Sequence, residues 1–141
     1  MESKAQATWT GGLKDGKGSI TTGSGVLNNI PFTFATRFEG AKGTNPEELI
    51  GAAHSGCFSM ALSAELGKAS ITPNSIETAA VIVLAQQGGG FAVTESRLTT
   101  VVTAKGADRA KIEAAAASAK ENCPISKLLN AKVSLALTVN T

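Results

Sequence analysis

A chain of 141 residues is one domain's worth, and it is long enough to bury a core. Its 43% hydrophobic and 17% charged residues are ordinary for a globular protein, and a net charge of +2 without basic clusters argues against nucleic acid as a partner. No apolar run reaches membrane-spanning length, and the opening MESKAQATWT lacks the basic-then-apolar layout of a secretory signal, so the chain reads as cytoplasmic and membrane-free. In that reducing compartment the two cysteines are not expected to form a standing structural disulfide. Redox chemistry, metal binding and plain core packing remain open to them.

In chain order, the segments AQATWT, GSITT and PFTFATRF have strand character. They are separated by the turn-rich stretches GGLKDGKGS and TGSGVLNNIP, which predicts an N-terminal antiparallel meander. A long helix follows. Thr44 or Asn45 can cap it, Pro46 suits its first position, and Glu47 and Glu48 suit its positive end. From Pro46 to about Lys68 it would span roughly 35 Å. Next, IETAAVIVLAQQ and FAVTESRLTTVVTA flank glycines 88–90 as the arms of a hairpin. ADRAKIEAAAASAKENC is alanine-rich and helical, Pro124 breaks it and opens a short helix, and KVSLALTVN closes the chain as a strand with alternate apolar residues Val133, Leu135, Leu137 and Val139. With no linker or repeat, residues 1–141 read as a single domain of α+β class with mostly antiparallel sheets.

The long helix carries apolar residues on nearly every side, among them Leu49, Ile50, Phe58, Met60, Leu62 and Leu66. A helix that is apolar all round is buried all round. One modest sheet covers one side, so the pattern predicts an intertwined homodimer with sheets wrapped around paired central helices.

The chain's one histidine, His54, and Cys57 lie in this helix at a spacing that puts both on one face. His54 could take the thiol proton, or could join Cys57 and Cys123 as a three-ligand metal site. A satisfied core histidine is the plainer reading, since no CxxC pair or HExxH is present. Cys123 precedes a helix-opening proline and so sits at a positive helix end, which favours a thiolate there; Cys57, in mid-helix, would need a cation brought to it. No GxGxxG, P-loop or GxSxG motif occurs.

TRFEGAKGTNPEELIGAAHSGCFSMAL, followed far downstream by NCPISKLL, resembles the family of osmotically inducible and organic hydroperoxide resistance proteins (OsmC/Ohr). The resemblance extends over essentially the whole chain, including the Trp9–Asn28 stretch, and is nearer the OsmC branch. It implies a thiol-dependent peroxidase acting on organic hydroperoxides. Cys57 matches the peroxide-attacking cysteine, Cys123 its disulfide-forming partner, Arg37 the active-site arginine, and Glu47 the motif glutamate. Ser55-Gly56 departs from the pair of alanines common before the cysteine. The implied cycle requires no flavin, haem or metal, and it ends with a dithiol reductant, lipoyl-type by family tilt. Phe38 and Phe58 are candidate walls for an apolar substrate pocket. Because Glu47 and Cys57 are ten positions apart, roughly 15 Å along one helix, a converging Glu, Arg and Cys would need composite sites shared across the dimer. Two other readings are a metal-dependent enzyme using His54, Cys57 and Cys123, and a catalytically silent binding module of the same fold.

Overall fold

The computed structural model describes residues 1–141 as two compact units, Met1–Leu49 and Ile50–Thr141. In the first unit β1 (Ala5–Thr10), β2 (Lys17–Thr22) and β3 (Ile30–Phe32) form an antiparallel sheet in the order β1-β2-β3. Gly18 is paired with Trp9 on one side and Phe32 on the other. Without a side chain it lets the two rings meet over it, their centroids 5.4 Å apart; a Cβ would lie 2.3 Å from the Phe32 ring.

The expected strand through residues 31–38 is corrected here. It stops at Phe32, and the chain turns into a short helix, α1 (Phe34–Phe38). The cause is local. The Thr33 hydroxyl accepts from the Thr36 amide at 3.2 Å and the Thr36 hydroxyl accepts from the Thr33 amide at 3.0 Å, a reciprocal capping box. Arg37 therefore sits on a helix rather than at a strand end.

Helix α2 (Pro46–Lys68) starts where Asn45 accepts the Glu48 amide through its side-chain oxygen at 2.8 Å, so Asn45 and not Thr44 is the cap. Thr44 instead donates its hydroxyl to Glu48 at 3.0 Å. The buried residues of α2 are Gly51, His54, Phe58, Leu62 and Leu66, one stripe at helical spacing. The expectation of burial all round is thus not met by a single chain: Met60, for one, is 77% exposed.

In the second unit β4 (Ser75–Gln87) and β5 (Gly90–Thr103) form the expected hairpin. Gly88 and Gly89 occupy its two-residue loop with φ of 61° and 83°, the left-handed conformation that matches the twist of a hairpin. A bulge between Val83 and Leu84 shifts the register. Helices α3 (Arg109–Asn122), capped by Asp108, and α4 (Pro124–Leu128) then carry the chain to β6 (Lys132–Asn140). Strand β6 runs parallel to β5, the one parallel pairing in the two sheets, because a helical crossover returns the chain to the same end of the sheet. The core lies in this unit, with Phe58, Leu62 and Leu66 of α2 clustering with Leu98, Ile112 and Cys123. No helix is long and apolar enough to cross a membrane.

Candidate active site

Cys123 owes its position to a conflict between its neighbours. Pro124 cannot continue α3, so Cys123 takes a non-helical conformation (φ −55°, ψ 125°), closing α3 and opening α4 in the same residue. Its amide still bonds back to the Ala119 carbonyl at 2.8 Å, which holds the residue at the C-terminal end of α3. There Cys123 Sγ lies 3.0 Å from Cys57 Sγ, though 66 residues separate the two in sequence. Both are free thiols; Cys123 is fully buried and Cys57 partly so. Closing a disulfide from this arrangement needs little more than side-chain movement, since the sulfurs are about 1 Å beyond bonding distance.

One S–H lies between the two sulfurs, and the surroundings decide which carries the charge. Burial above all pushes the Cys57 thiol up, the contact with Cys123 adds to this, and the Ile125 amide opposes it. Burial also acts to raise Cys123, but the hydrogen bond with Cys57, the amides of Ser126 and Ile125, and the Ser126 hydroxyl together outweigh it and bring that thiol down. None of these α4 groups makes a short capping hydrogen bond to the sulfur, so the effect is a summed field and not one strong contact. Cys123 is thus the thiol brought down, with the Cys57 hydrogen bond as the largest lowering cause and the α4 groups behind it, and Cys57 is the one pushed up.

His54 has no solvent exposure. Its Nδ1 lies 2.7 Å from Ser96 Oγ and its Nε2 lies 2.8 Å from Ser126 Oγ. Both ring nitrogens are thereby committed, and neither is hydrogen-bonded to Cys57. The direct transfer of the Cys57 proton to His54 is not what this geometry favours. Nor does the three-ligand metal arrangement form, since no group of three His, Cys, Asp or Glu side chains is placed to hold an ion. Burial pushes the His54 pKa down, so the imidazole is neutral. A histidine with a lowered folded pKa contributes stability that is complete above its unfolded value near 6.5 and is lost as pH falls below it. Melting temperature is accordingly expected to drop between pH 6.5 and pH 5 more steeply for the native chain than for His54→Gln; parallel curves would refute this.

In the first unit Arg37 and Glu47 form a two-pronged ion pair. Arg37 Nη2 donates to Glu47 Oε1 at 2.6 Å, and Nε donates to Oε1 and Oε2 at 3.2 and 3.1 Å. The pair fixes the plane of the guanidinium, which also lies 5.2 Å from the centre of the Phe38 ring. With side-chain exposures of 36% and 12% the arginine faces solvent and the glutamate is largely covered. Beside them, Trp9, Leu13, Phe32, Phe34, Arg37 and Phe38 line a mainly apolar cavity of about 310 Å³. Phe38 is thus a wall of this cavity. Phe58 is not: it has no exposure and belongs to the core beneath His54, on the stripe of α2 that faces the sheet.

The structure brings together Arg37 with Glu47, and Cys57 with Cys123, as the sequence reading pairs them. It adds Ser96 and Ser126, which that reading missed. A lone serine at β5 and another inside a one-turn helix carry no pattern of their own; only their convergence on His54 marks them.

A family model described as OsmC-like protein matches residues 39–138. The chain is 50% identical over 135 residues to peroxiredoxin OsmC of Escherichia coli (strain K12), covering 96% of this chain and 94% of that protein. It is 34% identical over 121 residues to the organic hydroperoxide resistance protein OhrB of Bacillus subtilis (strain 168), covering 85% of this chain and 87% of that one. Among solved structures, OhrB of Bacillus subtilis superposes with a TM-score of 0.71 at 32% identity, covering 95% and 97% of the two chains. An organic hydroperoxide resistance protein from Elizabethkingia anophelis superposes with a TM-score of 0.77 at 27% identity, covering 97% and 96%.

Proposed function

Because this chain belongs to the OsmC-like protein family, we propose that it is a cysteine-based peroxidase that reduces organic hydroperoxides to alcohols. The observation that carries this reading is the 3.0 Å approach of Cys57 and Cys123, two free thiols in position to exchange electrons with a substrate and with each other. In the first step the Cys57 thiolate attacks the terminal peroxide oxygen and the O–O bond breaks. The departing alkoxide takes a proton to become the alcohol, and Cys57 is left as a sulfenic acid. Cys123 then attacks the sulfenic sulfur, water leaves, and the disulfide protects Cys57 from further oxidation. A dithiol, lipoyl-type in our reading, returns the pair to thiols by exchange.

Arg37 supplies the positive charge that Cys57 lacks in mid-helix, and it stabilises negative charge on the leaving oxygen. Glu47 keeps the guanidinium aimed through its two-pronged contact. Glu47 and Cys57 stand about 15 Å apart along α2, so we assign the Arg37 and Glu47 acting on a given thiol to composite sites in a homodimer. A second copy would also cover the faces of α2 that one chain leaves open, including Met60.

Thiol titration before and after one equivalent of cumene hydroperoxide tests the reading. Loss of both thiols is expected, while an unchanged count would favour the silent binding module. The apolar cavity beside Arg37 suits an alkyl or acyl tail, whose transfer from water is worth roughly 25 cal/mol per Å² buried. Catalytic efficiency is therefore expected to be about 10- to 100-fold higher for cumene hydroperoxide than for hydrogen peroxide, and to fall toward parity in Phe38→Ala. Equal steady-state kcat/KM for both substrates in the native protein would remove the pocket from the mechanism.

A further inference from the structure

The peroxidase cycle described above makes no use of His54, although this imidazole is without solvent exposure and is hydrogen-bonded at both nitrogens. Its partners come from two other elements. Ser96, equally buried, holds Nδ1 from β5 at 2.7 Å, and Ser126 holds Nε2 from α4 at 2.8 Å. One ring therefore ties the sheet, α2 and α4 together.

The position of that tie matters for the two thiols. Cys57 comes three residues after His54 in α2, and Cys123 three residues before Ser126, at the start of α4. The contacts His54–Ser126 and Cys57–Cys123, 2.8 and 3.0 Å long, are thus neighbouring rungs between the same two stretches of chain, about 4.5 Å apart along α2. Helix α4 needs such a hold. It is five residues long, too short to be stable by itself, and none of its own residues is buried, although Ile125 packs partly against the core. The bond from the Lys127 amide to the Cys123 carbonyl at 3.0 Å makes the backbone of Cys123 move with the helix. Where Ser126 is held, Cys123 is held.

We propose that His54 is a positioning residue for the thiol pair: by clamping Ser126 it keeps α4 docked on α2, holds the two sulfurs at high effective concentration, and so stabilises the Cys57–Cys123 disulfide against reduction. A tethered pair gains stability in proportion to its effective concentration. Sulfurs already about 1 Å from bonding distance lose little freedom when they join. A loosened α4 must first be ordered, and that conformational entropy is subtracted from the stability of the disulfide. The clamp works through the placement of atoms, so His54 neither gains nor loses a proton when the disulfide closes.

Equilibrating the full chain near neutral pH with mixtures of reduced and oxidised dithiothreitol tests the clamp without any peroxide. Closure breaks the S–H bonds of Cys57 and Cys123 and the S–S bond of the reagent. One S–S bond forms in the protein and two S–H bonds form in the reagent, so two electrons and two protons pass to dithiothreitol. Alkylation and mass spectrometry count the thiols that remain. Ser126→Ala, which removes one rung, is expected to lower the equilibrium constant for closure about threefold to tenfold, the net contribution of one hydrogen bond, and so to raise the reduction potential by about 15–30 mV. Ser126→Thr, which keeps the hydroxyl, should restore the native value. His54→Leu should shift the constant in the same direction and add little in Ser126→Ala, because both act through one contact. Ile112→Val weakens the buried core without touching the clamp and should leave the constant unchanged. A native constant in both Ser126→Ala and His54→Leu would overturn the inference, and so would an equal fall in Ile112→Val, the mark of general loosening. A native chain that forms no disulfide at any dithiothreitol ratio would overturn it too, together with the resolving step of the proposed cycle.

Discussion

Cys57→Ser is expected to reduce peroxide consumption to the uncatalysed background, whereas Cys123→Ser is expected to complete one turnover and then fail. The two outcomes differ because the proposed cycle gives the thiols different duties. Without Cys57 there is no nucleophile at the site, and the hydroxyl that replaces it is not ionised near neutral pH. Without Cys123 the first oxygen transfer still proceeds, but the sulfenic acid has no neighbour 3.0 Å away to condense with. Excess peroxide should then convert Cys57 to sulfinic acid, a gain of two oxygens by mass. The electrostatics of the resting pair make this a demanding test, because burial raises Cys57 while its partner is brought down. If mass spectra of the single variants found oxygen on Cys123 and none on Cys57, the roles would be reversed and the more acidic thiol would be the attacking one.

A mixture of Cys57→Ser and Glu47→Ala chains, each inactive alone, is expected to regain activity. In the proposed isologous dimer each site would take its thiol from one chain and its Arg37–Glu47 pair from the other. A mixed dimer then holds one intact site and one doubly damaged site. With equal amounts and free exchange about half the dimers are mixed, so the recovered rate should approach roughly a quarter of the native value. The physical ground is the length of α2: Glu47 and Cys57 occupy the same helix ten positions apart, and hydrogen-bonded convergence needs contacts near 3 Å. Steady-state rates after verified subunit exchange that stay at the level of the separate variants would assign both residues to one chain and end the composite-site proposal.

Most elements of this fold announce themselves through local chemistry, and for those the sequence was sufficient. Asn45 and Pro46 start α2, paired glycines turn the β4–β5 hairpin, Asp108 and the alanine run make α3, and Pro124 ends it, each through forces acting within a few residues. The alternation of Val133 to Val139 likewise marks β6 as a strand with one covered face. That β6 lies parallel to β5 is not written in that alternation, because period-two patterning is the same for either direction and only the α3–α4 crossover decides it. The strand that became α1 shows the competition at short range: apolar residues from Pro31 to Phe38 favour extension, and two threonines three apart override them by capping each other. At the candidate site, resemblance named Cys57, Cys123, Arg37 and Glu47, but residue types alone left each thiol's role open. Only tertiary packing brings residues 57 and 123 within 3.0 Å, buries Phe58 in the core instead of a pocket wall, and closes Ser96 and Ser126 on His54. Contacts of this kind join segments tens of residues apart, so their energies depend on where the sheet and helices have already gone, which no local pattern encodes.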